Sequence, residues 1–285
     1  MSKRDMQDVT QKVRAFYETC SFPGYEEFET LIDLRDKAQR GVYAKLLDEQ
    51  LPLGCRILDA GCGTGQLAIF LSTVGRMVAG IDLSLNSLRK AKEFKKRFQM
   101  KDVCFAQMNV FSLALKEQVF DYILSNGVLH HTGDAYRAFQ NLCGVLKPGG
   151  FIVIGLYNTY GRFLLNLRRR IFQLTKNRLI WLDYFMRQKT LGDEKKHIWF
   201  LDQYCNPHED TFTVDEVLSW FKQNGINYIN SIPKIRLGDR FTSQEQLFEP
   251  QEPGGRPDHF LCQFGWVFTQ GKEGGFFITI GQKPH

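Results

Sequence analysis

Two adjacent histidines, His130 and His131, follow a short apolar run that predicts a strand at residues 120–124. An imidazole titrates near neutral pH, so either side chain could take a proton from a hydroxyl or phenolic nucleophile. Neighbouring side chains point in different directions, and we therefore expect only one of the two to act, with His131 ahead of His130. The alternative for each histidine is packing or a hydrogen bond to the backbone.

Two further groups of polar residues could take part in the same chemistry. Tyr157 follows the strand predicted at 151–156, and ligands of open α/β sheets collect beyond the carboxyl ends of the strands. A polar cluster at 202–210 contains His208 and Glu209 as candidate binding or basic groups. The alternative interpretation of this cluster is a solvated loop before the next helix.

A glycine-rich turn joins the first predicted strand to a helix. It contains Asp59, Gly61, Cys62, Gly63 and Gly65. Glycine lets the backbone adopt a positive φ and approach a ligand closely, and a helix start offers free N–H groups. The third glycine comes one position too early for a dinucleotide fingerprint, and a fixed carboxylate at Asp59 would repel a pyrophosphate but suit an ammonium group. The turn therefore disfavours an NAD-dependent oxidoreductase.

An alternation of short apolar runs and amphipathic segments must position these residues. Strands are predicted at 56–60, 77–81, 103–108, 120–124 and 151–156, and helices at 66–72, 85–98 and 135–146. This spacing is typical of a parallel sheet with helices on both faces. The apolar periodicity of residues 25–51 predicts one amphipathic helix before the first strand.

The pattern changes after Leu156. A basic and aromatic stretch at 158–212 predicts two or three helices without a strand, inserted over the sheet. Thr213, with Glu216 as its capping-box partner, begins a predicted helix that Gly225 ends. The rest is predicted as a strand at 226–232, a loop-rich segment at 233–275 and a last strand at 276–280.

Several segments of the chain match one family pattern in the same order. The turn at 58–65 is followed by Asp82, 23 residues after the acidic residue of the turn, and by Asn109 after the third predicted strand. The segments 120–131 and 146–150 come next. Together they resemble the class I S-adenosylmethionine (SAM)-dependent methyltransferases, and in particular small-molecule enzymes of the ubiquinone and menaquinone biosynthesis type. In that family the residue at Asp82 binds the ribose hydroxyls, and an Asp usually stands where this chain has Asn109.

The resemblance implies an α/β fold, the Rossmann-like class I methyltransferase fold, with a seven-stranded, mostly parallel sheet and helices on both faces. It implies an N-terminal helical lid at 1–53 and a methyltransferase domain at 54–285. The basic stretch at 158–212 then becomes a helical insertion after strand 5 that shapes the acceptor site. The aromatic and proline residues expected in the lid are Phe16, Tyr17, Phe22, Pro23 and Tyr25.

The resemblance also implies SAM as the cofactor, S-adenosylhomocysteine as the product, and no metal. The expected cofactor-binding residues are Asp59, Gly61, Cys62, Gly63, Gly65, Asp82, Leu83, Asn109, Val110 and Ser125. The expected catalytic residues are His131, His130, Tyr157 and His208. The expected reaction is in-line transfer of a methyl group to a small-molecule acceptor, such as a natural product, a quinone or another metabolite.

The charge distribution limits the partners. The chain has 37 Lys+Arg against 31 Asp+Glu, a net charge of +6, which is too mild for a dedicated nucleic-acid binder. An N-P-x-Y motif of base-amino methyltransferases is also absent after the fourth strand. Residues 162–196 carry ten basic against three acidic residues. This stretch could be a solvated helix face, receive an anionic or amphipathic substrate, or contact a membrane surface, which we do not favour.

The remaining features indicate a cytoplasmic protein. Seven scattered cysteines form no C-x-x-C pair, and no apolar run is long enough for a signal core or a membrane helix. A homodimer is compatible with the sequence. The alternatives to a small-molecule enzyme are a catalytically silent SAM-binding protein that acts through partners and a methyltransferase of RNA or protein.

Overall fold

The computed structural model describes residues 3–19, 30–188, 192–269 and 274–285. Its centre is one sheet of seven strands. The strands are β1 (Arg56–Ala60), β2 (Met77–Asp82), β3 (Val103–Gln107), β4 (Phe120–Asn126), β5 (Leu146–Tyr157), β6 (Asn227–Ile232) and β7 (Phe276–Gln282).

The sheet has the order β3-β2-β1-β4-β5-β7-β6. Strands β1 to β5 are parallel, whereas β7 lies antiparallel to both of its neighbours. The predicted seven-stranded, mostly parallel sheet is therefore confirmed. The order of the strands reverses between β1 and β4, and such a switch point leaves a crevice at the carboxyl ends of the strands.

Helices cover both faces of the sheet. In the described part of the chain the α-helices are α1 (Lys3–Thr19), α2 (Leu31–Arg40), α3 (Val42–Gln50), α4 (Gln66–Ser72), α5 (Leu85–Arg97), α6 (Ala135–Val145), α7 (Phe163–Leu174), α8 (Tyr184–Arg187), α9 (Asp193–Tyr204), α10 (Val214–Gln223) and α11 (Arg256–Thr269). The two faces of the sheet bury separate apolar clusters. Ile69 and Phe70 of α4 belong to one cluster, and Phe139 of α6 with Phe221 of α10 belongs to the other.

The single helix predicted at 25–51 is wrong. Two helices, α2 and α3, occupy this region, and Gly41 lies between them with an extended backbone conformation. The apolar periodicity continues across the break because both helices pack their apolar sides inward, so periodicity alone did not reveal it. Residues 25–29 lie outside the described part of the chain.

The loop-rich segment predicted at 233–275 is wrong in part, because it contains α11. The prolines and glycines that suggested loops precede the helix or occupy its first turn, where Pro257 is tolerated because the first-turn N–H groups have no partner within the helix. Beneath the helix lie His259, Gln263 and Trp266, whereas several of its phenylalanines are exposed. Because two of these three buried residues are polar and the exposed face is aromatic, a search for buried apolar residues at helical spacing does not find this helix.

The other elements after β5 agree with the predictions. Helices α7, α8 and α9 form the insertion, and no strand occurs in its described residues. Thr213 caps α10, and Glu216 completes the capping box. A small core of Leu165, Phe172 and Tyr204 holds α7 against α9.

Candidate active site

One cavity of about 860 Å³ opens at the carboxyl ends of the central strands. Side chains from α1 and α9 complete its walls. The predicted site residues that line it are Asp59, Gly61, Cys62, Gly63, Asp82, Leu83, Asn109, Val110, His131 and Tyr157. The predicted site residues outside its lining are Gly65, Ser125, His130 and His208.

The glycines of the turn have two different tasks. Gly61 has a φ of +81°, and a Cβ there would come within 2.2 Å of Val128, so only glycine fits beneath the loop after β4. Gly65 has a φ of +78°, and a Cβ there would lie 2.6 Å from the ring of Phe105. Gly65 therefore allows the start of α4 to pack on the sheet and lies away from the cavity.

The carboxylate of Asp82 organises the backbone around it. One oxygen accepts the N–H of Gly63 at 2.8 Å, and the other accepts the N–H of Ser84 at 2.8 Å. Each oxygen keeps a second lone pair, so hydrogen bonds from ribose hydroxyls remain compatible with this arrangement. Burial raises the pKa of Asp82, and these two N–H groups oppose the rise.

Asp59 is a buried carboxylate with an unsatisfied oxygen. The backbone N–H of Ala68 bonds to the side chain, but its Oδ2 has no partner among the described residues. Burial, together with the charge of Asp82, raises the pKa of Asp59 to about 7. A cation placed here would satisfy the oxygen and restore the charged form.

Asn109 and Ser125 make contacts inside the protein. The Oδ1 of Asn109 accepts the N–H of Phe111 at 2.9 Å in a local turn, which leaves one lone pair and the amide N–H groups for the cavity. Ser125 is fully buried, and its hydroxyl donates to the carbonyl of Ala60 at 3.2 Å. This hydrogen bond connects β4 to β1. The buried position of Ser125 does not support the expected contact with a cofactor.

His131 is held in one orientation by a backbone carbonyl. Its Nδ1 lies 2.9 Å from the carbonyl oxygen of His208, and because a carbonyl only accepts, Nδ1 carries the proton. The lone pair is therefore on Nε2, while the ring lines the cavity. Burial lowers the pKa of His131 to about 4, so the ring is neutral at physiological pH. His208 acts here through its backbone carbonyl. The Nε2 of its own ring lies 3.3 Å from the Oδ2 of Asp210.

His130 lies behind the cavity wall. Its ring is fully buried, and both ring nitrogens lack a hydrogen-bond partner among the described residues. It packs on the ring of Tyr157 with a centroid distance of 4.0 Å. Burial lowers the pKa of His130 well below its ordinary value. The structure thus places His131, and not His130, at the cavity.

Tyr157 is fixed on both sides. The Arg162 guanidinium lies 3.6 Å from its ring centroid, and the hydroxyl accepts the amide N–H of Gln203 at 3.3 Å. Arg162 is fully buried and pairs with Glu209. Burial favours the neutral form of Glu209, but Arg162 and Arg169 outweigh it and lower its pKa. The expectation of Glu209 as a basic group is therefore wrong, because its carboxylate is paired with the buried Arg162 and the partly buried Arg169.

The C-terminal end of α1 closes one side of the cavity. The carboxylate of Glu18 accepts the N–H groups of Leu85 and Asn86, at 2.8 and 2.9 Å, at the start of α5. The hydroxyl of Tyr17 accepts the side-chain amide of Asn206 at 3.0 Å. These bonds join the N-terminal helix to both α5 and the insertion. The other residues expected in the lid, Phe22, Pro23 and Tyr25, lie outside the described part of the chain.

Two cavity residues with unpaired polar atoms were missed from the sequence. Asn126 donates to the hydroxyl of Tyr43 at 3.4 Å, and its buried Oδ1 has no described partner. The buried indole N–H of Trp199, on α9, also lacks one among the described residues. A polar residue at the end of a strand was a signal for Asn126, whereas no pattern in the residues around Trp199 pointed to the cavity.

The cavity at the switch point combines a glycine turn, an acidic residue at the end of β2 and several aromatic side chains. This combination is typical of α/β proteins that bind a nucleoside cofactor. The family described as "Methyltransferase domain" matches residues 53–225. The chain therefore belongs to this family, and the resemblance to SAM-dependent methyltransferases is confirmed.

The chain is similar to several known proteins. An uncharacterized protein of Synechococcus is 27% identical over 78% of this chain, which spans 60% of that protein. A demethylmenaquinone methyltransferase of Staphylococcus aureus is 27% identical over 66% of this chain and 84% of its own length. The solved 1,6-didemethyltoxoflavin-N1-methyltransferase of Burkholderia thailandensis aligns with a TM-score of 0.54 at 15% identity, covering 100% of this chain and 92% of that one. The last comparison shows the shared fold alone.

Proposed function

We propose that this chain transfers a methyl group from SAM to a small, oxygenated aromatic acceptor. The observation that carries the proposal is the unsatisfied Oδ2 of Asp59 beside the glycine turn. Burial and the charge of Asp82 raise the pKa of Asp59, and the ammonium group of SAM beside this oxygen would favour the charged carboxylate. Asp82 would hold the ribose, and Asn109 with Val110 would flank the adenine.

SAM supplies a methyl group activated by a positive sulfonium, and in-line displacement leaves the bonding electron pair on sulfur. The chain must position the acceptor, exclude water and receive any proton that the nucleophile loses. His131 suits the last task because its Nε2 lone pair is available in a neutral ring. The carbonyl of His208 keeps that tautomer in place.

The acceptor side of the cavity favours a flat, mostly apolar molecule. Tyr17, Tyr157, Trp199 and Phe276 contribute aromatic surface to the cavity. The unpaired indole N–H of Trp199 would donate to an acceptor oxygen, and the unpaired Oδ1 of Asn126 would accept a hydroxyl or amine proton. The demethylmenaquinone methyltransferase of Staphylococcus aureus is consistent with a quinone-like acceptor.

The test is to incubate the full chain with methyl-labelled SAM and an extract of its source cells. Label is then measured in the organic, small polar and macromolecular fractions, and we expect it in the organic fraction. Label only in the macromolecular fraction would contradict a small-molecule acceptor and favour RNA or protein. Binding of SAM in a titration without any transfer would favour a silent SAM-binding protein.

A further inference from the structure

Helix α7 presents an apolar stripe to the outside. Phe163, Leu167 and Leu174 recur at four- and seven-residue steps, which places them on one face of the helix. Phe163 is 57% exposed and Leu174 is 85% exposed. On the opposite face Leu165 and Phe172 belong to the small core of the insertion. The exposed stripe is therefore not a consequence of a poorly packed helix.

Helix α11 presents a second apolar stripe. Phe260, Leu261, Phe264 and Phe268 share its outer face, and Phe268 is 72% exposed. The rings of Phe260, Phe264 and Phe268 pack on one another in sequence along the helix. A monomeric protein in water rarely exposes this many large apolar side chains together, so the stripe indicates an interaction surface.

The two stripes are joined through Tyr160, at the turn before α7. The ring of Tyr160 packs edge-on against Phe260, and its carbonyl accepts the N–H of Phe163. We call the whole surface the aromatic-basic face. It consists of Tyr160, Phe163, Leu167, Arg170, Leu174, Lys176, Arg178, Phe260, Leu261, Phe264 and Phe268.

The charge of this face has one sign around α7. Residues 160–182 contain no acidic residue. Arg168 and Arg169 are paired with Asp183 and Glu209 and point away from the face. Exposed Arg170, Lys176 and Arg178 form no ion pair with any described residue. Unpaired positive charge therefore lies at the C-terminal end of α7, where Leu174 is also most exposed.

We propose that the aromatic-basic face lies on the headgroup region of an anionic membrane. Exposed Phe and Leu side chains would enter the boundary between headgroups and acyl chains, while the unpaired basic residues would face anionic lipids. A second copy of the chain fits less well, because its identical basic residues would meet no acidic partner within 160–182. No helix in the described residues is long and apolar enough to cross a membrane, so this contact would be peripheral.

The location of this face gives it a functional consequence, which rests on the proposed function. Helix α9 of the same insertion supplies Trp199 and Gln203 to the cavity. An apolar, quinone-like acceptor would partition into the bilayer. A protein that lies on the bilayer through α7 would meet this acceptor beside the insertion whose helix α9 lines the cavity.

The test is co-sedimentation of the full chain with vesicles of phosphatidylcholine alone or mixed equally with phosphatidylglycerol. We expect binding to the anionic vesicles to be at least about tenfold tighter, and to weaken at high salt, because the unpaired basic residues are attracted to the anionic surface and salt screens this attraction. Phe264→Ser/Phe268→Ser and Arg170→Gln/Arg178→Gln should each reduce this binding about tenfold.

Matched control variants separate the face from the rest of the surface. Leu53→Ser removes an apolar side chain that is 74% exposed in the turn before β1, and Lys96→Gln/Lys101→Gln removes two exposed charges near β3, at the opposite edge of the sheet from β7. Both controls should bind vesicles like the unmodified chain. Equal binding of all variants, or no preference for anionic vesicles, overturns the proposal.

Light scattering after size-exclusion chromatography tests the rival occupant. A dimer that dissociates in Phe264→Ser/Phe268→Ser, without vesicle binding by the parent chain, assigns the face to a second copy and overturns the membrane proposal. Vesicle binding needs neither SAM nor an acceptor. Its failure therefore leaves the proposed methyl transfer intact, and a failure of methyl transfer leaves the vesicle result intact.

Discussion

We call the side of the cavity that is proposed to bind SAM the cofactor side, and the side proposed to bind the acceptor the acceptor side; the two are built from different kinds of groups. On the cofactor side, the glycine turn and the end of β2 contribute backbone N–H groups and carboxylates that lie close together in the sequence. On the acceptor side, Tyr17, His131 and Trp199 come from three distant segments. The cofactor side is therefore determined mainly by local turn geometry, while the acceptor side depends on how α1 and the insertion pack.

The largest expected effect is on the acceptor side. We expect His131→Ala to lower kcat for a hydroxyl acceptor by a factor of about 10² or more, because no other imidazole lines the cavity among the described residues. SAM affinity should change by less than about twofold. Because the pKa of His131 is about 4, its neutral form persists above about pH 5, and the rate should show no fall near pH 6.5 from this residue.

The matched control for this prediction is His208→Ala, which deletes a ring but keeps the carbonyl that bonds His131. This variant should retain most of the activity. An unchanged kcat in His131→Ala would mean that the nucleophile reaches the site already deprotonated. The acceptor side would then only position the substrate, like the cofactor side.

The next effect is on the cofactor side and depends on pH. We expect Asp59→Asn to weaken SAM binding about tenfold at pH 8, because a buried carboxylate no longer meets the ammonium group. In the unmodified chain the carboxyl must lose its proton to form this pair, so affinity should rise as the pH passes through about 7. Isothermal titration at pH 6 and 8 measures this, and the variant should show no such rise. A variant with the affinity of the parent chain at both values would remove Asp59 from the site.

The same carboxyl links cofactor binding to stability. Its pKa of about 7 in the folded chain exceeds the unfolded value of about 3.9, so the unfolded chain binds fewer protons between these values. The stability of the SAM-free protein should therefore fall as the pH rises from about 4 to 7, by at most about 4 kcal/mol. Asp59→Asn should remove this fall in thermal or urea unfolding, which would show that the carboxylate is kept for binding at the expense of stability.

The two sides also differ in how far the sequence could predict them. The glycine turn and Asp82 were predictable because neighbouring residues and a fixed strand-helix alternation define them. The contribution of His208 was not, because it acts through a carbonyl that every residue carries. The stack of Arg162 on Tyr157 involves nearby residues, but the burial of Arg162 depends on Glu209, which lies 47 residues away. Long-range pairing of this kind leaves no periodic signal in either segment.

A smaller effect should separate affinity for the acceptor from affinity for SAM. We expect Trp199→Phe to raise the KM of an oxygenated acceptor about fivefold to tenfold, because the ring is kept while the N–H donor is lost. The value of kcat and the Kd of SAM should stay within about twofold. Leu201→Ala on the same helix serves as the control, since Leu201 is outside the cavity lining. An equal change in KM in both variants would point to a general loosening of α9.

The smallest effect concerns the contact that joins the two sides. The carboxylate of Glu18 accepts two backbone N–H groups at once. The N–H of Leu85 is the main cause that lowers the pKa of Glu18. In Glu18→Gln only one amide oxygen can accept, which weakens the attachment of α1 to α5 by about 1 kcal/mol. We expect S-adenosylhomocysteine to dissociate about fivefold faster in stopped-flow measurements, because α1 covers the cavity.

Asp8→Asn removes an exposed charge from the same helix and should leave the rate unchanged. Equal rates in Glu18→Gln and the parent chain would mean that the cofactor leaves without movement of α1, and that the two sides of the cavity open independently.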